Sequence, residues 1–236
     1  MTSHRFLFFS EEATASSSSV MLTGEEHHHF ARALRFHVGD TIFATNGRGL
    51  ILECRAATVG RTTTTAEVLS VVEECAPARE FVLAIGIIRK PKFEQAFEQC
   101  IELGITRCVP FVSQNSHQET YSERHFARLR KLAVGAIKQS FRSWLPQVAE
   151  PMPFDELVDA VRRTQHTFVG RQGADPPPSA PPDGDVAIVV GPEAGLTESE
   201  FAALEGAGAV FAGVSTHRLR SETAAVALVG ALARRD

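Results

Sequence analysis

No run in this chain approaches the roughly 18 apolar residues that a membrane span requires, and the stretch MTSHRFLFFSEE lacks the charged, apolar, small-residue order of a secretory signal. A soluble, cytoplasmic protein is therefore expected, with no membrane partner. There is also no Cys-x-x-Cys pair. Cys54, Cys75, Cys100 and Cys108 stand apart from one another and from any histidine at ligand spacing, which predicts buried, reduced thiols and no zinc site. Excess positive charge is missing too: the net charge of −4 argues against a general nucleic-acid binder. The average hides a local exception, because Ser122 to Arg142 carries six Lys or Arg against one Glu. Such a stripe suits phosphate contacts, or equally a solvated helix face.

What is present can build a sizeable core. With 236 residues and 44% hydrophobic content, the chain suits one large or two small domains. The first seventy residues read as β-rich: Arg5 to Phe9, Thr41 to Thr45, Leu50 to Ala57 and Thr62 to Val72 have strand composition, with Asn46-Gly47 as a hairpin signal. One helix interrupts them, opening on a Thr23-x-x-Glu26 capping box and placing Phe30, Ala33 and Leu34 on one face. Its adjacent His27, His28 and His29 point about 100° apart and cannot converge on one metal ion.

Near Cys75-Ala76-Pro77 the pattern changes to alternating strand and helix, giving predicted domains over 1–74 and 75–236. Strands are expected at Phe81 to Ile88, Arg107 to Val112, Thr167 to Gly170, Val186 to Val190 and Val210 to Val214. Helices are expected at Lys92 to Leu103, His125 to Phe141, Phe154 to Arg163, Glu198 to Leu204 and Glu222 to Ala233. This is an α/β domain with a mostly parallel sheet. The proline-rich link Ala174 to Asp185 reads either as a plain mobile loop or as one that closes over a site.

Two turns stand out. Val186 to Val190 ends in Gly191-Pro192-Glu193-Ala194-Gly195, followed by Thr197-x-x-Glu200, a second capping box. The last strand ends in Val214-Ser215-Thr216-His217-Arg218-Leu219-Arg220, before Ser221-Glu222-Thr223. Successive strands of an open sheet that each end in a donor-rich turn point to one shared ligand site at the carboxyl edge, although tight turns that need glycine look the same. The first turn has neither the Gly-x-Gly-x-x-Gly spacing nor the lysine of a P-loop, which weighs against a plain nucleotide-binding enzyme.

GPEAG together with LRSETA resembles the paired GPEGG and LRTETA signatures of the RsmE family, the 16S ribosomal RNA (uracil-N3)-methyltransferases of the SPOUT superfamily. HHHFARALRFHVGD, KFEQAFEQCIELGI and IKQSFRSWLP follow the family order, so the likeness covers nearly the whole chain. It implies a PUA-like β-barrel RNA-binding domain followed by a trefoil-knotted SPOUT domain, a homodimer, S-adenosylmethionine as cofactor, and 16S rRNA in the small ribosomal subunit as partner. Cofactor contacts would fall on Phe168, Val169, Gly170, Gly191, Pro192, Glu193, Ala194, Gly195, Leu196, Val214, Ser215, Leu219 and Arg220. RNA contacts would involve Arg32, Arg35, Arg89, Lys92, Arg124, Arg128, Lys131, Gln139 and Arg142.

Ala194 and Val214-Ser215 depart from the family's Gly and Leu-Gly. The alanine methyl fits if that residue keeps a negative φ. Methylating uracil N3 requires loss of its proton, so Arg220 is the expected cation for the developing anion. Glu193 or Glu222 is the conceivable base, although Glu222 also suits the first turn of a helix. A SPOUT ribose 2′-O-methyltransferase is disfavoured because the Ser-Leu-Asn-Val helix start is replaced by SETAAVAL. A catalytically inactive RNA-binding paralogue is the remaining alternative.

Overall fold

The computed structural model describes residues 5–117 and 121–233. The chain forms two compact units, Met1–Ala76 with Val134–Leu145, and Pro77–Ala133 with Pro146–Asp236.

In the first unit, strands β1 (Leu7–Phe9), β2 (Ser19–Thr23), β3 (Thr41–Thr45), β4 (Leu50–Val59) and β5 (Thr63–Glu73) form a sheet in the order β1-β3-β4-β5-β2. The hairpin signal at Asn46-Gly47 does join β3 to β4. Gly47 and Gly49 take φ of +71° and +92°, and Asn46 Oδ1 accepts a 2.8 Å bond from the Arg48 amide. Strand β2 has no counterpart among the expected strands, although its alternation of exposed Ser19 and Met21 with buried Val20 and Leu22 carries the period-two signal. The alternate inward residues of these strands, with Phe8, Ile42 and Leu52 fully buried, make one core with Phe30 from the segment between β2 and β3.

The helix between β2 and β3 differs from expectation. It is a short α1 (Gly24–His28) followed by a π-helical turn over His29–Ala33, closed by the Leu34 amide on the His29 carbonyl at 3.0 Å. The wider turn changes the inward face: Ala31 rather than Ala33 packs with Phe30 and Leu34 against the core. The Thr23-x-x-Glu26 capping box does not form, because Thr23 makes no side-chain cap bond. Glu26 is used elsewhere. Its Oε2 accepts from the Phe9 amide at 3.1 Å and its Oε1 lies 2.6 Å from Lys138 Nζ, with both side chains less than one-fifth exposed. His27 is buried, with Nδ1 2.9 Å from Thr64 Oγ1.

The second unit contains β6 (Phe81–Gly86), α2 (Lys90–Glu102), β7 (Arg107–Val112), β8 (Gln147–Val148), β9 (Met152–Pro153), α4 (Phe154–Arg163), β10 (His166–Gly170), β11 (Val186–Val190), α5 (Glu198–Gly206), β12 (Val210–Ala212) and α6 (Ser221–Leu232). Helix α3 (Glu123–Ser140) starts in this unit, and its last turns belong to the first. The sheet runs β12-β10-β11-β6-β7-β8 with β9 also on β7, and every one of these pairings is parallel. The unbroken apolar run of β11 is explained by its position, since all five of its residues are buried between the sheet's two covered faces. Helices α2 and α6 pack together, α6 also meeting β6, β10 and β11. Leu157, Val158 and Val161 of α4 and Leu204 of α5 pack with Val109, Phe111, Val169 and Val189. Among the described residues, no helix is long and apolar enough to cross a membrane.

Of the cysteines, Cys54, Cys100 and Cys108 are buried as expected, whereas Cys75 is exposed. Burial pushes the Cys54 thiol up to about 11 and that of Cys100 to about 12, so both stay protonated and unreactive near neutrality.

Replacing Glu26 with Ala leaves a largely buried ammonium and the Phe9 amide without their acceptor. The variant is expected to lose about 2–3 kcal/mol of stability, read as a lower urea midpoint at unchanged slope.

Candidate functional site

Parallel strands bring the loops after β10, β11 and β12 to one edge of the sheet, and between them lies a cavity of about 280 Å³. Close backbone approach shapes it. A Cβ on Gly213 would sit 2.4 Å from the Ala174 carbonyl oxygen, and one on Gly191 would lie 3.0 Å from the Leu196 amide. Gly195 has open space around it but φ of +82°, so its requirement is conformational. It closes the turn by donating to the Pro192 carbonyl at 2.8 Å. Ala194 is not among the positive-φ residues and is exposed, so its methyl points away from any crowding.

Gly170, Gly191, Pro192, Glu193, Gly195, Leu196, Val214, Ser215 and Leu219 all line the cavity. Phe168 and Val169 instead lie buried in β10, Ala194 lies off the wall, and Arg220 lines the adjoining groove. Arg218, from the turn expected at the ligand site, also lines it, as do Gln172, Phe201 and Leu228, which the sequence pattern did not single out. Arg171 lies against a pair of touching rings, its guanidinium carbon 4.6 Å from the Phe201 centroid and 4.9 Å from that of Phe211. Those rings lie thirty and forty positions along the chain, so nothing local announces the contact.

The turn at Gly191 is braced from both sides. On one side, the capping box of α5 forms: Thr197 Oγ1 accepts from the Glu200 amide and Glu200 Oε2 from the Thr197 amide at 2.8 Å. On the other, the polar run Ser113-Gln114-Asn115-Ser116-His117, which follows β7 and drew no notice in the sequence, folds against the same turn. Buried Glu200 accepts from the Gln114 amide at 2.9 Å through Oε1, and Asn115 Nδ2 donates to the Gly195 carbonyl at 3.0 Å. His117 Nε2 touches Glu193 Oε2.

A second, more open groove of about 560 Å³ shares Glu193, Arg218 and Leu219 with the cavity and adds Arg89, Lys92, His117, Arg220 and Glu222. Four Arg or Lys face two carboxylates there, which gives the groove a positive balance. Lys92 Nζ lies 3.0 Å from Oε1 of buried Glu222, in the first turn of α6. Arg218 donates to the Glu193 carbonyl at 3.2 Å, leaving the carboxylate of Glu193 to the groove and to His117.

The remaining residues expected at RNA are distributed more widely. Arg124, Lys131 and Gln139 are exposed on α3. Arg128 is exposed but committed, because Nε and Nη2 bind Glu94 at 2.6 and 2.7 Å and thereby hold the Glu94 carboxyl below its usual value. Arg142 is partly buried, which lowers its guanidinium from the ordinary arginine value. Arg32 and Arg35 are exposed in the first unit, Arg35 with φ of 56°.

Comparison with known proteins gives one family and several relatives. The family described as RNA methyltransferase domain matches residues 75–233. "Ribosomal RNA small subunit methyltransferase E" from Bacillus subtilis is 26% identical over 214 residues, covering 84% of this chain and 83% of that protein. The protein of the same name from Mesomycoplasma hyopneumoniae is 27% identical, over 65% of this chain and 69% of its own. The crystal structure of a ribosomal RNA small subunit methyltransferase E from Neisseria gonorrhoeae, bound to S-adenosyl methionine, superposes with a TM-score of 0.81 at 22% identity, covering 97% of this chain and 96% of the other.

The cavity suits a molecule of that kind. Leu196, Leu219 and Leu228 offer apolar walls to a flat ring, the glycines admit close backbone contact, and Glu193, Ser215 and Arg218 supply polar groups for the charged end. Removing the Glu200 carboxylate leaves the Gln114 and Thr197 amides without it. Glu200→Ala should therefore cost about 2 kcal/mol of stability and weaken S-adenosylmethionine binding roughly tenfold, as read by calorimetry.

Proposed function

Because the chain belongs to the RNA methyltransferase domain family, we propose that it uses S-adenosylmethionine to methylate N3 of a uracil in the 16S rRNA of the small ribosomal subunit. The observation that carries this reading is the shared wall. Glu193, Arg218 and Leu219 border both the cavity and the cationic groove, so a cofactor in one can meet an RNA base in the other. The names of the relatives support the choice of small-subunit RNA.

Bound in the cavity, S-adenosylmethionine would supply a sulfonium methyl. The protein's task is then to position the base and manage its proton, because N3 of neutral uracil carries a hydrogen and shares its lone pair with two carbonyls. A fixed cation beside those oxygens stabilises the anion that develops, an effect worth ~3 kcal/mol in comparable sites. Arg220, exposed at the N-terminal boundary of α6 and lining the groove, suits that role. Arg89 and Lys92 flank it and suit the RNA backbone. Glu222, engaged by Lys92, serves to fix that lysine.

The reading extends to the rest of the chain. The first unit acts as a PUA-like RNA-binding domain, and exposed Arg32, Arg35, Arg124, Lys131 and Gln139 add phosphate contacts. The second is a SPOUT domain with a trefoil knot, consistent with its all-parallel sheet and with the Gly213 amide bound to the Asp175 carbonyl across two loops. It pairs with a second copy through α6, whose Val226, Ala227, Gly230 and Ala231 are small or apolar and not fully buried. The enzyme works in the cytoplasm.

Nucleoside mass spectrometry of small-subunit RNA incubated with the protein and S-adenosylmethionine tests the reaction. N3-methyluridine is expected, and a ribose-methylated product would reject the assignment. Arg220→Ala should lower the single-turnover rate about a hundredfold and recover partly as rising pH ionises the base unaided. A defect confined to cofactor affinity would instead make Arg220 a binding residue.

A further inference from the structure

We propose that His117 and Glu193 act together as the proton acceptor, so that the pair, with His117 taking the proton, is a catalytic element of the groove. The inference rests on the reading of that groove as the acceptor-base site. It starts from an unsatisfied atom. Glu193 Oε2 is buried and makes no hydrogen bond, and the group in contact with it is His117 Nε2, as an ion pair. A desolvated carboxylate oxygen with unused acceptor capacity is costly unless a proton or cation is to be met there. The imidazole beside it is about two-fifths exposed and lines the groove, so it is open to substrate on one side and to Glu193 on the other.

The placement is over-determined. His117 is carried by the loop after β7, whose ends are fixed by the His117 amide on the Ile87 carbonyl at 3.0 Å and by the Gln114 and Asn115 bonds to α5 and the Gly195 turn. Glu193 is held through its own carbonyl by Arg218. The other charged groups facing the pair are Arg89, Lys92, Arg220 and Glu222. Three of these four are cations, as is Arg218, and none of them has a lone pair to take a proton; Glu222 is buried against Lys92, which leaves imidazole and the Glu193 carboxylate as the available acceptors.

The balance of the step is simple. The N3–H bond breaks with its electron pair staying on nitrogen, and the proton passes to the imidazole. The resulting imidazolium is stabilised by the adjoining Glu193 carboxylate, as a carboxylate stabilises an imidazolium in other acid-base pairs. The nitrogen gains its bond to the methyl carbon, the sulfur keeps the pair of the broken S–C bond, and His117 returns one proton to solvent after release. Arg220 stabilises charge on the base oxygens, a separate role from taking the proton.

Single-turnover methylation of small-subunit RNA by the full chain, followed from about pH 6 to pH 9, tests this with His117→Ala and Glu193→Gln, alongside calorimetric affinity for S-adenosylmethionine. Near pH 7 the first variant should be slower by about a hundredfold and the second by about tenfold. Both deficits should shrink toward pH 9, where the base ionises without help, and the affinity of His117→Ala, which does not line the cofactor cavity, should stay within about threefold of wild type. A deficit that is absent, that is constant with pH, or that in His117→Ala follows a parallel loss of cofactor affinity would overturn the proposal. Product analysis of the wild type separates the two readings: transfer to a site other than uracil N3, or no transfer, rejects the function proposed above, whereas N3 transfer with pH-independent variant deficits rejects the His117–Glu193 pair alone.

Discussion

Everything at this site depends on the parallel alignment of five neighbouring strands. With β12, β10, β11, β6 and β7 all running the same way, the segments that leave their carboxyl ends must emerge at one edge. A parallel sheet needs both faces covered, and α2 and α6 with α4 and α5 meet that need, so the edge is left to the loops. Their backbones then approach too closely for side chains, and Gly191 and Gly213 are the consequence. The order of cause runs from strand direction to loop convergence to glycine, and the ligand cavity follows from all three.

Convergence alone would leave a loose cluster of turns. Buried Glu200 prevents this by serving two elements with one carboxylate: Oε2 closes the first turn of α5 and Oε1 fixes the loop after β7. The same bracing stations His117 beside Glu193, which borders both the cavity and the cationic groove. Preorganisation of this kind matters most where charge develops, since groups already in place need not reorganise when the proton leaves.

How far a sequence discloses such a site is illustrated by its two Thr-x-x-Glu patterns. Thr197 and Glu200 form the box their spacing announces, because the glutamate's second oxygen finds a partner in a direction the box leaves open. Thr23 and Glu26 have the same spacing and do not, because Glu26 is taken by the Phe9 amide and by Lys138, which is 112 residues away. Local pattern specifies what a residue can do, and distant partners decide what it does. Strands such as Val186–Val190 and the glycine turn after it were legible because their causes are local. The loop at 113–117, the ring contacts of Arg171 and the π-helical turn at His29–Ala33 were not, since each is fixed by contacts or by a helical period that the sequence pattern does not carry. The motif likeness to the RsmE family filled part of that gap, pointing to Gly170, Leu196 and Leu219, which do line the cavity.

These convergent loops form a ready-made cradle for one S-adenosylmethionine molecule. Isothermal titration of the purified chain with S-adenosylmethionine, without RNA, tests it most directly. Saturable binding at one site per chain is expected, competed by S-adenosylhomocysteine and severely weakened by Gly213→Val, whose side chain would collide with the Ala174 carbonyl. Absence of binding at millimolar cofactor, or binding that Gly213→Val leaves unchanged in a folded protein, would contradict it.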